Sequence, residues 1–238
     1  MRSLLKKYLS IKIKDKLKAH RPCFLFRKTS YSQCGEDLII RYIFDVLKIP
    51  QPNYLDIGAH HPAYLNNTFI FYQNGSTGVN IEPDFQLFSY IKKCRPRDIN
   101  LNIGIANEKA TLDFYVMSVP TLNTFSLEEA KKAESEKIKI DKIIQIPVVP
   151  VEDVLNEYFS DAAPDFLSLD VEGLDLKILQ SFNFVKWRPK VICVETITYS
   201  EKRDGKKIKE IEMFLIEKGY FPYADTHINT IFVDKAIW

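Results

Sequence analysis

NYLDIGAHHPAYLNNT, residues 53–68, reads as a short buried strand that stops abruptly. Tyr54, Leu55 and Ile57 are apolar or aromatic, Asp56 interrupts them, and Gly58 ends the run before two adjacent histidines and a proline. In an open parallel sheet, ligands sit outside the carboxyl ends of the strands. An acid, a bare glycine and two imidazoles just past a strand therefore mark a candidate ligand-binding edge.

Outward from that strand the pattern alternates. Apolar residues at 38, 39, 42, 43, 46 and 47 predict a helix over 36–49, stopped by Pro50 and Pro52. A helix over 66–74 ends at Gly75, GVNIE (78–82) is a second strand, and Pro83-Asp84 opens a helix with Phe85, Phe88 and Ile91 on one face. INLNIGI (99–105) reads as a third strand. Residues 106–150 break the rhythm as an insertion: TLDFYV and QIPVVPV read as strands around a Lys/Glu-rich segment, 128–142, read as a mobile helix or loop. DFLSLDV (165–171) and KVICVE (190–195) are buried strands, followed by helices in GLDLKILQSF and over 206–218, the latter closed by Gly219. YFPYAD and NTIFVD lie too close together for a crossover helix and must pair antiparallel.

The expected fold is α/β and Rossmann-like: a mostly parallel seven-stranded sheet with a C-terminal antiparallel hairpin and helices on both faces. That is the class I organisation of S-adenosylmethionine (SAM) methyltransferases. The expected division is a basic arm over 1–30 and one domain over 31–238.

No apolar run approaches the ~18 residues of a membrane span, and lysines interrupt the N-terminal segment, so no secretory signal is read. Cys23, Cys34, Cys94 and Cys193 are scattered without a C-x-x-C pair, which argues against a zinc ribbon or disulfide framework and for a reducing cytoplasm. The net charge of +2 hides an asymmetry, because residues 1–28 hold ten Lys/Arg against Asp15 alone. Leu5, Leu9, Ile13 and Leu17 give that arm an apolar stripe. It reads as a surface helix packed on the domain, or as a peripheral contact with anionic lipid at the inner membrane face. Aromatic residues do not interleave with basic clusters, so nucleic acid is not an expected partner. Oligomeric state is left open.

Four strand ends carry polar groups: Asp56-Ile57-Gly58, Glu82, Asp170-Val171-Glu172-Gly173, and Glu195. Gly58 lets a ligand approach the backbone or simply makes a tight turn. Glu82 is placed to accept both hydroxyls of a ribose. Asp56 meets a ligand ammonium or orders the loop. Asp170, Glu172 and Glu195 are candidate catalytic carboxylates and, with Asp170 and Glu195 foremost, a candidate Mg²⁺ or Mn²⁺ site. Glu172 could equally cap the following helix. His61, just past the Asp-x-Gly loop, is the favoured general base, with His227 in the terminal turn as a further candidate.

These segments resemble the FkbM-type SAM-dependent methyltransferase family. The resemblance rests on YSQCGEDLII (31–40), YLDIGAHHP with NNTFIFY (54–72), GVNIEPD (78–84), RPRDINLNIGI (95–105) and DFLSLDVEGLDLKIL (165–179). It implies O-methylation of a hydroxyl, often of a nucleotide-activated or glycan-linked sugar in bacterial surface polysaccharide biosynthesis, or of a secondary metabolite. It also implies SAM binding by Asp56, Gly58, Ala59, Glu82 and Pro83, with Asn102 and Ile103 flanking the adenine and Asp170 beside the transferring methyl. Gln33 and Glu36 would contribute to the cofactor or substrate pocket.

Two rivals stand beside this reading. A NAD-type oxidoreductase would want G-x-G-x-x-G, whereas the loop after Gly58 offers His60, His61 and Pro62. An inactive binding module on the same fold would not need the acidic set.

Overall fold

The computed structural model describes residues 22–159, 162–198 and 205–238. The apolar stripe of the basic arm lies outside the described residues. Strand β1 (Tyr54–Ile57) runs beside β2 (Gly78–Ile81) and β7 (Phe166–Leu169), near the middle of a seven-stranded sheet. With β3 (Ile99–Leu101), β8 (Val191–Glu195), β9 (Tyr220–Asp225) and β10 (Asn229–Asp234), the order is β3-β2-β1-β7-β8-β10-β9. The first five of these are parallel; β10 pairs antiparallel with both β8 and β9, as the short final connection requires. This is the expected fold class.

Both faces of the sheet are buried, which explains why the inner strands read as nearly continuous apolar runs. Leu55, Ile57, Val79, Leu167, Leu169 and Ile192 face one core, filled from α5 (Val151–Tyr158), α6 (Asp175–Ser181) and α7 (Lys209–Glu217). Tyr54, Phe166, Val191, Cys193 and Ile231 face the other, against α1 (Glu36–Leu47) and α2 (Phe69–Gln73).

The insertion forms a second, three-stranded sheet, β4-β6-β5, from β4 (Gly104–Ile105), β5 (Ala110–Met117) and β6 (Ile140–Val149). Between β5 and β6 come a 3-10 turn (Pro120–Leu122) and helix α4 (Leu127–Ser135), N-capped by Ser126.

Three sequence expectations change. INLNIGI is two strands in two sheets, because the Asn102 side chain donates to the carbonyls of Glu82 and Pro83 and turns the chain out of the main sheet. On α3 (Phe85–Cys94), Ile91 is buried but Phe85 is 64% exposed. Positions 85 and 91 lie ~120° apart around a helix, so one face cannot hold both. Helix α5, whose first residue Val151 had been read as strand, follows Pro150 and carries Glu152 and Asp153 in its first turn. Proline followed by acids is a helix-start signal, hidden here by the preceding proline-spaced strand.

Candidate active site

At the carboxyl ends of β1, β2, β7 and β8 lies a cavity of about 570 Å³. The terminal turn carrying His227 and the segment from Pro120 to Phe125 wall it on the other sides. Of the residues singled out from sequence, Gln33, Gly58, Glu82, Pro83, Asp170, Glu172, Glu195 and His227 all line it. Six separate parts of the chain therefore converge on one space.

Glu82 directly follows β2 and is buried at the edge of the cavity. Its Oε2 accepts from the His60 backbone N–H and its Oε1 from that of Asp84, both at 2.8 Å. Each oxygen keeps a lone pair for a ligand hydroxyl. Burial raises its pKa to about 7, against the lowering effect of those two N–H donors. Gly58 sits at φ +82°, and a Cβ there would lie 1.8 Å from the Asp170 carbonyl oxygen. The close approach of the β7 end alone demands glycine, so a ligand is not needed to explain it.

Asp170, Glu172 and Glu195 offer carboxylate oxygens within 4.8 Å of one another. Crowding by the surrounding protein, followed by repulsion from Asp175 and Asp56, raises Asp170 to about 7, although its side chain stays exposed to the open cavity. Glu172 and Glu195 are raised well above the usual carboxylate range, first by burial and then by repulsion from Asp170 and its neighbours. Glu172 has a φ of +52°. It precedes Gly173 in the turn before α6, while Asp175 accepts the Val171 N–H at 3.2 Å. Thr124 of the insertion donates to the Glu172 carbonyl at 2.9 Å, which pins the insertion to this turn.

Several sequence assignments need correction. His61 does not line the cavity. Its Nδ1 accepts the backbone N–H groups of Ala63 (3.0 Å) and Tyr64 (2.7 Å), and its ring packs edge-on against Tyr64 and Tyr90. The imidazole thus acts as a turn cap, and the nitrogen a base would use is occupied. His60 lines the cavity instead; burial and then repulsion from His61 lower its pKa, with Asp84 opposing. His60 adopts a left-handed φ of +53° in this turn.

Asp56 is withdrawn from the cavity as well. Its Oδ2 accepts from Thr68 Oγ1 (2.7 Å) and Asn66 Nδ2 (3.1 Å), so it orders the 58–68 loop. Ala59 is buried, donating to Ile81 O and accepting from Asn66 Nδ2. Asn102 is occupied by the two carbonyls it caps, and Ile103 packs against the core. Glu36 is fully buried, accepting from Thr226 Oγ1 (2.7 Å) and Asn229 Nδ2 (3.2 Å). Those donors hold its pKa low despite burial, and they tie α1 to the terminal hairpin beside the cavity.

Two features went unread in sequence. Arg95 is fully buried and pairs through Nε with Asp98 at 2.8 Å. Its other nitrogens donate to Tyr54 Oη, Thr68 Oγ1 and Asn66 Oδ1, joining β1, α3 and the cavity loop in one network. Asn123 also lines the cavity; its Oδ1 accepts the Met117 N–H, and its buried Nδ2 has no partner.

Residues 56–222 match the methyltransferase FkbM domain family. The chain belongs to that family. Among solved structures, the FkbM methyltransferase from Methylobacillus flagellatus KT aligns with a TM-score of 0.47 at 12% identity, over 77% of this chain and 44% of that one. This FkbM-family chain therefore spans less than half the length of that protein. The O-methyltransferase from Bacillus cereus, solved in complex with SAH, aligns with a TM-score of 0.42 at 11% identity over 95% and 92%. A TehB-like SAM-dependent methyltransferase from Corynebacterium glutamicum gives 0.42 at 11% over 93% and 97%. No curated protein matches the chain. Among the described residues no helix is long and apolar enough to cross a membrane.

Proposed function

We propose that the chain is a SAM-dependent O-methyltransferase acting on a hydroxyl of a sugar. The observation that carries this reading is the convergence of Glu82 with the Asp170, Glu172 and Glu195 carboxylates on one cavity at the β-strand carboxyl ends. Among the described residues lining that cavity there is no lysine or arginine. Those described residues offer a pyrophosphate no counter-charge, and with only Gly58 in the loop after β1 there is no glycine-rich cradle. SAM carries a cationic sulfonium and no phosphate, so the residues present fit it. When bound, it supplies an electrophilic methyl group.

The chain's own residues would do the rest. Glu82 would hold ribose hydroxyls through its free lone pairs, with Pro83 and His60 flanking. Gln33 and Asn123 offer polar contacts to a bound ligand. Asp170, with a pKa of about 7, would take the acceptor hydroxyl's proton onto a carboxylate oxygen. Burial and then repulsion from Asp175 and Asp56 keep its proton affinity high, and Glu172 and Glu195 line the cavity beside it. Alignment of acceptor and donor inside a walled cavity supplies the positioning part of the rate. The acidic lining favours a neutral polyhydroxyl part of the acceptor inside the cavity, consistent with a glycan-linked or nucleotide-activated sugar whose phosphates stay outside.

A second reading of the same cluster is favoured by its spacing. Three carboxylates within 4.8 Å form a hard-oxygen donor set of the kind that takes Mg²⁺ or Mn²⁺. A cation there would supply Lewis-acid polarisation of the acceptor oxygen. Incubation of the protein with SAM and a panel of sugar and nucleotide-sugar acceptors, with mass detection of a product heavier by one CH₂, tests the activity. Repeating it after exhaustive EDTA treatment separates the readings: full activity supports Asp170 alone, and loss restored by Mg²⁺ or Mn²⁺ supports the cation. No methylated product from any hydroxyl acceptor contradicts the proposal.

A further inference from the structure

One apolar turn on the described surface is used by neither the fold nor the cavity. Cys23–Phe26 forms a 3-10 turn with no buried residue. Phe24, Leu25 and Phe26 are 67%, 57% and 58% exposed. Single exposed apolar side chains are ordinary, but three large ones in succession, all in water, forgo the burial that the two cores achieve elsewhere.

Charge decides what covers them. Arg27 and Lys28 follow the turn directly, Arg21 precedes it, and residues 1–28 hold ten Lys/Arg against Asp15 alone. The remainder of the chain is mildly acidic, so the positive charge is concentrated in the sequence segment that contains this turn. An apolar groove on a protein would cover the three side chains without calling on that charge. An anionic lipid surface uses both features at once: the apolar tips enter the boundary between headgroups and acyl chains, and the basic residues meet the lipid charge.

We propose that Phe24, Leu25 and Phe26, with the flanking basic residues, are an interfacial anchor that docks the enzyme on an anionic membrane surface. The anchor lies on a segment separate from the cavity, whose first lining residue in the chain is Gln33. It therefore holds the enzyme at the membrane while leaving the cavity open to its ligands.

Co-sedimentation of the full chain with vesicles tests this. The wild-type chain is expected to sediment with vesicles of phosphatidylcholine and phosphatidylglycerol, not with phosphatidylcholine alone, and to be released as salt is raised. The triple variant F24S/L25S/F26S should lose at least about tenfold in vesicle affinity, with its binding of S-adenosylhomocysteine (SAH) unchanged as a check of folding. Failure of the wild-type chain to sediment with anionic vesicles overturns the proposal, including the case in which a protein captures the turn instead. So does a triple variant that sediments like the wild type, since charge alone would then suffice.

Discussion

At the residue scale the decisive contrast is between His61 and Asp170. Both follow a parallel strand, and the sequence offers His61 as the readier base because the Asp-x-Gly loop places it at the active edge without several side chains having to converge. The structure spends His61 Nδ1 on two backbone N–H groups, whereas Asp170 opens onto the cavity and is raised to about 7. His61→Ala should accordingly cost stability, by about 0.5–2 kcal/mol as for a lost side-chain cap, with kcat falling less than about tenfold. His61→Asn, which keeps an acceptor for the two N–H groups, should recover most of that stability in urea unfolding. Asp170→Asn should lower kcat by ~10²–10⁴ while SAH affinity stays within a few-fold. A kcat loss of ~10² or more for His61→Ala together with a mild Asp170→Asn would reverse the assignment.

At the element scale the loop from Gly58 to Thr68 is held by a buried charge. Arg95 has no exposure, and its guanidinium reaches Asp98, Tyr54, Thr68 and Asn66 while lying over the rings of Tyr54 and Tyr72. Removing one side of such a pair leaves the other charge buried and unpaired, so Arg95→Met should destabilise the fold by about 3–5 kcal/mol. Denaturant unfolding measures it; a loss under ~1 kcal/mol would mean the network relaxes without consequence. The strand order was legible because apolar runs, turn residues and the short final connection are local signals. The Arg95 network was not, because Arg95 in RPRD looks like a surface charge until tertiary packing closes over it. Asp56 was ambiguous for the same reason: its partners Asn66 and Thr68 lie beyond a reversing loop. His61 was favoured over His60, yet His60 lines the cavity, because an irregular turn carries no periodic signal for which of two neighbours faces it.

At the scale of the whole molecule, an excess of carboxylates raised by burial makes stability pH-dependent. Glu82 and Asp170 titrate at about 7 in the folded chain, against roughly 4 in an unfolded one. Each binds its proton more tightly when folded, so its contribution to stability is full below pH ~4 and is lost as pH rises through about 7. Glu172 and Glu195, raised well above the usual range, extend that loss upward. The lowered pKa values of His60 and His61 act in the opposite sense, but only as pH falls through about 6.5 and below. Between pH ~6.5 and ~8.5 the carboxylates dominate. The Tm of the ligand-free protein should fall across that window chiefly through the buried Glu82, because solvent at the exposed Asp170 screens its share. Glu82→Gln should flatten the fall, and a Tm that rises with pH would contradict the carboxylate assignment.

The proposal that this cavity holds SAM rests on the family match and on the carboxylates gathered at the strand ends. Calorimetric titration of the chain with SAH and, separately, with NAD⁺ measures that claim at its source. SAH should bind with one site per chain, Glu82→Ala should weaken it by roughly 1.5–3 kcal/mol, and NAD⁺ should give no binding heat. Absence of SAH binding, or NAD⁺ binding that Glu82→Ala abolishes, would contradict the assignment of this cavity to SAM.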